Sequence, residues 1–141
     1  MDAQKNTVLS FIDRINAHDV EGIIALLTDD YTFVNSSGDH FEGRQFMRDT
    51  WAAQFAEHPD FQINVQRVVA DAEAVAVFGM STGTYAPDGA LRDETHWEVP
   101  AAFLCIPRGD KIARVQVFSD SSIVYDLIRG RSEPAGASGK R

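Results

Sequence analysis

A single cysteine in 141 residues leaves no partner for a disulfide within the chain and no cysteine set for a metal. Its neighbours, "AAFLCIP" around Cys105, suit a buried and unreactive thiol. The four histidines, His18, His40, His58 and His96, show no HxH or HxxxH spacing, so no metal site is expected. A glycine-rich phosphate loop and a GxSxG elbow are also missing, and no cofactor is expected. No apolar run approaches membrane-spanning length, and the start "MDAQKNTVLSF" has no signal-peptide core. A cytoplasmic protein without a membrane partner is the expectation. Basic residues are scarce: 13 Lys and Arg stand against 21 Asp and Glu, a formal charge of −8. Four of the basic side chains sit in residues 129–141, so the rest is more acidic still. Such a chain repels phosphate backbones, and nucleic acid is not an expected partner.

What is present is an ordinary globular composition, 44% hydrophobic and 24% charged, in a length suited to one domain. Residues 3–17 carry Val8, Phe11, Ile12 and Ile15 at helical spacing. Asp19 is a candidate N-cap for a second helix bearing Ile23, Ile24, Leu26 and Leu27. "YTFVN" alternates as a strand, "SSGD" turns it, and "HFEG" offers a short return strand. From Arg44, residues Phe46, Met47, Thr50, Trp51 and Phe55 resume helical spacing until Pro59 stops it. Four long strands follow as a meander, with Gly79 and Gly83 as expected bulge or bend points. "SSIVYDLIRG" reads as a short closing helix. The polar, Gly- and Pro-bearing residues 131–141 read as a disordered tail on a single domain of residues 1–130.

This order predicts an α+β fold. Three N-terminal helices close a curved, mostly antiparallel mixed sheet into a cone, a cystatin-like α+β barrel with an apolar interior. Such an interior is a natural small-molecule pocket. Phe11, Phe33, Trp51, Phe55 and Tyr85 are the candidates for its wall.

"FIDRINAHDVEGIIALLTDDYTFVN", "EGRQFMRDTW" and "GDKIARVQVFSD" resemble the nuclear transport factor 2-like superfamily, in its SnoaL-like polyketide cyclase and ketosteroid isomerase branches. The resemblance spans about residues 5–128 and implies the cone fold. It does not carry over a catalytic set. Where the steroid isomerases have a tyrosine, an aspartate base and a second acid, this chain has Phe11, Asn35 and Ala101 or Ala102. Against limonene-type epoxide hydrolases, Asn35 matches a water-holding amide and Phe33 replaces a tyrosine, but the Asp-Arg-Asp set is broken. Against scytalone-dehydratase-like enzymes, Asp13 falls near an aspartate, but "NVQRVV" and "GMSTGTY" supply no histidine.

The polar candidates for acid-base chemistry are His96, Glu98, Asn35 and Asp120. His96 and Glu98 sit at i and i+2 of a strand and so share a face, where a carboxylate can orient an imidazole. The alternate set, Trp97, Val99, Ala101 and Phe103, is more apolar. That favours turning it inward and leaving His96 and Glu98 on the outer face. Asn35 is either a pocket amide or a turn residue, and Asp120 either an acid at the pocket mouth or a helix cap. Two functions follow. One is a SnoaL-like isomerase, lyase or cyclase acting on a small, mostly apolar cyclic compound. The other is a non-catalytic binding or assembly protein that keeps the cone. Arg114, Gln116 and Phe118 fall on the sheet's outer face by alternation, which suits a homodimer interface.

Overall fold

Helix α1 (Asp2–Asn16) buries Val8, Phe11, Ile12 and Ile15, the stripe that the spacing predicts. A computed structural model of the chain describes residues 2–132. Asp19 caps α2 (Val20–Ala25), its side chain accepting from the Gly22 amide. This helix is shorter than the sequence suggests. Leu27 already belongs to β1 (Leu27–Val34), because its backbone pairs with Ile112. Strand β2 (His40–Glu42) is the short return strand, and α3 (Arg44–Glu57) ends at the residue before His58. The long strands are β3 (Gln62–Ala70), β4 (Val75–Thr84), β5 (His96–Arg108) and β6 (Lys111–Ser119). Helix α4 (Ser122–Ser132) follows, so the closing helix extends into the stretch read as tail. The remainder of that tail, 133–141, lies outside the described residues.

The six strands form one sheet in the order β2-β1-β6-β5-β4-β3. The meander β3 to β6 is antiparallel throughout, and β1 joins it parallel to β6. The sheet ends at β2 and β3 without closing into a barrel. Helices α1, α3 and α4 pack against the sheet instead. A bulge sits between Val65 and Arg67, opposite Gly79. Pro100 is tolerated within β5 because β6 pairs only from Ala101 onward, which leaves β5 with β4 alone at that point.

Alternation sorts the meander's two faces. Trp97, Val99 and Ala101 are buried, whereas His96, Glu98 and Pro100 are exposed. The end of α1 is tied to β3 by Asn16, whose amide side chain accepts from the Ile63 amide and donates to its carbonyl. His18 holds the same corner, donating from Nε2 to the Phe61 carbonyl while its ring stacks at 4.1 Å on Phe55.

Candidate active site

Between the helices and the sheet lies a cavity of about 350 Å³, within the size range of small-molecule sites. Phe11 and Ile15 of α1, Tyr31 and Phe33 of β1, and Met47 and Trp51 of α3 form much of its wall. Trp97, Val99 and Phe103 of β5 and Val115 and Val117 of β6 supply the sheet side. Of the five expected wall aromatics, Phe11, Phe33 and Trp51 line the cavity. Phe55 and Tyr85 stand one layer back, Phe55 beside Trp51 and Phe61, and Tyr85 beside His58.

None of the four polar candidates reaches this cavity. His96 and Glu98 do meet, at 3.4 Å, but on the outer face, with side chains 40% and 61% exposed. His96 Nδ1 also lies 2.9 Å from Thr84 Oγ1, which in turn donates to Asp60. Asn35 is a turn residue: its Oδ1 accepts from the amides of Ser37 and Asp39. Asp120 lies in the turn before α4, its side chain accepting from the amide and hydroxyl of Ser122, and these bonds lower its carboxyl pKa.

The residue that sequence reasoning missed is His58. It is 2% exposed and lines the cavity. Neither ring nitrogen has a hydrogen-bond partner among the described residues. The indole N–H groups of Trp51 and Trp97 are buried and unpartnered too. Each such group costs about 1–3 kcal/mol of lost hydration, so three side chains of this kind on one apolar cavity call for an explanation. A ligand bearing polar atoms supplies one.

Local structure holds His58 firmly. Its amide donates to the Gln54 carbonyl, ending α3, and its carbonyl accepts from the Phe61 amide. The Ala86 amide donates to the Glu57 carbonyl. Asp60 accepts both the amide and the hydroxyl of Thr84, which pins the turn to β4. The imidazole meets Trp97 edge to face at 5.5 Å. Gly83 makes room for this arrangement: a Cβ there would lie 3.1 Å from Trp97 Cζ2 and 3.6 Å from His58 Cβ.

Burial lowers the His58 pKa, and the Glu57 carboxylate, the nearby Gln54 backbone carbonyl and the Asp60 carboxylate oppose that shift more weakly. The imidazole is therefore neutral near pH 7, with one N–H to donate and one nitrogen to accept. The same desolvation raises the Tyr31 phenol and pushes the Cys105 thiol up to about 12, leaving both uncharged. The His58 shift has a stability consequence. An unfolded chain binds the proton first, so stability is complete above the unfolded pKa of about 6.5 and declines as pH falls through it. Thermal melts from pH 7.5 to 5 should show this decline, and His58→Gln should flatten it. An unchanged slope in the variant would refute the assignment.

No protein of curated function matches the chain in sequence. The sequence profile of the SnoaL-like domain does, over residues 8–115. The chain belongs to the SnoaL-like domain family. Solved structures agree on the nuclear transport factor 2-like fold that the sequence resembles. A candidate SnoaL-like polyketide cyclase from Jannaschia sp. CCS1 is 20% identical, and the match covers 94% of each chain with a TM-score of 0.76. An uncharacterised cystatin-fold protein from Novosphingobium aromaticivorans is 27% identical over 80% of this chain and 95% of that one, with a TM-score of 0.64. The epoxide hydrolase/cyclase-like enzyme SalBIII, of pyran ring formation in the polyether salinomycin, is 21% identical. That match covers 84% of this chain and 92% of the other, with a TM-score of 0.72.

Proposed function

We propose that this SnoaL-like chain is an enzyme of the isomerase, lyase or cyclase type, moving protons on a small, mostly apolar cyclic compound held in the cavity. The observation that carries this reading is His58, a buried imidazole with both nitrogens unpartnered on an apolar wall. A neutral imidazole with a depressed pKa is a competent general base near neutrality. The indole N–H groups of Trp51 and Trp97 are donors for carbonyl or hydroxyl oxygens of the ring compound. His58 takes the role that the sequence offered to His96 and Glu98.

Deuterium exchange tests the proposal. The protein is incubated in heavy water with a panel of cyclic ketones, and mass spectrometry reads label at the carbon beside the carbonyl. Exchange that needs His58 supports an enzyme. The second reading, a binding protein of the same fold, draws on one feature: among the described residues no carboxylate is hydrogen-bonded behind the imidazole to orient it. Tight binding without catalysed exchange across the panel would favour that reading.

We also propose that the chain pairs with a second copy through the outer face of the meander. The register sets Phe78, Ala102 and Phe118 in one row across β4, β5 and β6. Phe78 is 44% exposed and Phe118 51%. Met80, Pro100 and Leu104 flank the row on the same face, whose nearby charges are Arg67, Arg114 and Glu98, an apolar centre with a rim of both signs that suits an interface between two copies. Sedimentation at micromolar concentration should give a dimer, and Phe118→Asp should dissociate it. A wild-type species of 15.6 kDa would overturn the pairing.

A further inference from the structure

We infer that the cavity has a second polar subsite, formed by the hydroxyls of Ser36, Ser119 and Ser121, and that its ligand is an elongated, uncharged ring compound with an oxygen at each end. The inference rests on the proposed role of His58 at the other end. Ser119 and Ser121 line the cavity, and Ser36 reaches Ser121 from the turn after β1. The hydroxyl oxygens of Ser36 and Ser121 lie 2.6 Å apart, and those of Ser119 and Ser121 3.5 Å apart. Three hydroxyls carry three hydrogens, and two contacts use at most two of them. At least one hydrogen is left to donate elsewhere.

The sheet register measures the separation of the two ends. Ser119 is paired with Ala101, and Trp97, beside His58, lies four residues back along β5. At about 3.3 Å per residue the two ends stand about 13 Å apart along the strand. Between them on the sheet side lie Val99 and, paired with it, Ser81, and past Ser119 the cavity continues along the apolar Phe103, Val117 and Phe33. The ligand's charge follows from what the wall does not offer. Among the described residues lining the cavity there is no Lys or Arg, and Glu57 is the one carboxylate. A carboxylate or phosphate ester would enter a low-dielectric space without a counter-charge, a costly transfer. Neutral carbonyl or hydroxyl oxygens match indole, imidazole and serine donors without that penalty.

Rigid probes test this without knowledge of the natural substrate. The full chain is titrated with biphenyl, para-hydroxybiphenyl and para,para′-dihydroxybiphenyl, and tryptophan fluorescence reads the dissociation constants. The diol should bind about three- to tenfold more tightly than the mono-ol, the range of one or two neutral hydrogen bonds. In the double variant Ser119→Ala, Ser121→Ala this advantage should vanish while biphenyl itself binds as before, which also shows that the cavity is intact. His58→Gln should weaken the mono-ol. An advantage that survives the serine substitutions, or no advantage in the wild type, overturns the second subsite and leaves the His58 reading standing. Failure of all three probes to bind overturns both.

Discussion

Replacing His58 with glutamine should lower turnover of the cavity's substrate about 100- to 10,000-fold, the usual worth of a positioned general acid or base. Glutamine keeps an amide that can donate and accept, but it cannot carry a proton between pH 5 and 9. The loss should fall on kcat more than on KM, since the removed interaction acts in proton transfer. Stability should move little or in the opposite direction. The wild-type imidazole is buried with both nitrogens unpartnered, and removing an unsatisfied polar group can stabilise a fold. His58→Phe should therefore melt at or above the wild-type temperature while being inactive, the pattern of a residue kept for function at some cost to stability. His96→Ala serves as the comparison. Its ring is on the outer face, bonded to Thr84 and Glu98, and its loss should leave turnover within about twofold. Turnover by His58→Gln within threefold of wild type would sink the assignment. So would a melting temperature that collapses in parallel with activity.

The sequence carried the elements well where periodicity is strong. The α1 stripe, the Asp19 cap, the β2 return strand and the four-strand meander all lie where spacing and turn chemistry predict. The start of β1 was harder to see. Leu26 and Leu27 continue the helical stripe of α2, and only the pairing of Leu27 with Ile112, distant in sequence, pulls that residue into the sheet. The site was less legible for a related reason. His96 and Glu98 announce themselves as a pair two apart, and they do meet, but the pattern cannot say which face of β5 turns inward. The apolar alternate set decides that question, and it buries Trp97 and Val99. His58 looks like a helix-end residue because Pro59 follows it. Yet Met47, Trp51, Gln54 and His58 fall at i, i+4, i+7 and i+11, one face of α3 extended by a single residue, and all four line the cavity. Extending the α3 stripe past its last apolar member would have found it.

Gly79→Ala should be among the most damaging single substitutions in the sheet, lowering stability by about 3 kcal/mol or more. The expected drop in melting temperature is about 6–12 °C for a domain of this size. The reason lies in the bulge of β3. Where two residues, Val65 and Arg67, bracket the irregularity, the neighbouring strand comes unusually close to the β4 backbone. A Cβ on Gly79 would sit far inside contact distance of the Asn64 carbonyl oxygen, 3.0 Å from its carbonyl carbon and 3.2 Å from Val65 Cα. All three are backbone atoms, so no side-chain rotation relieves the clash, and the ladder between β3 and β4 has to shift. Gly83→Ala is the instructive counterpart. Its Cβ would press on the Trp97 ring, a side chain that can yield by a few tenths of an ångström. That change should cost little stability but should displace the indole beside His58, and so weaken ligand binding more than it lowers the melting temperature. The two alanines on one strand thus separate what the bulge does for the fold from what the close approach does for the site. Equal, small effects of both on melting, with Gly79→Ala within about 2 °C of wild type, would mean that β3 relaxes freely at the bulge and that the close approach carries no structural demand.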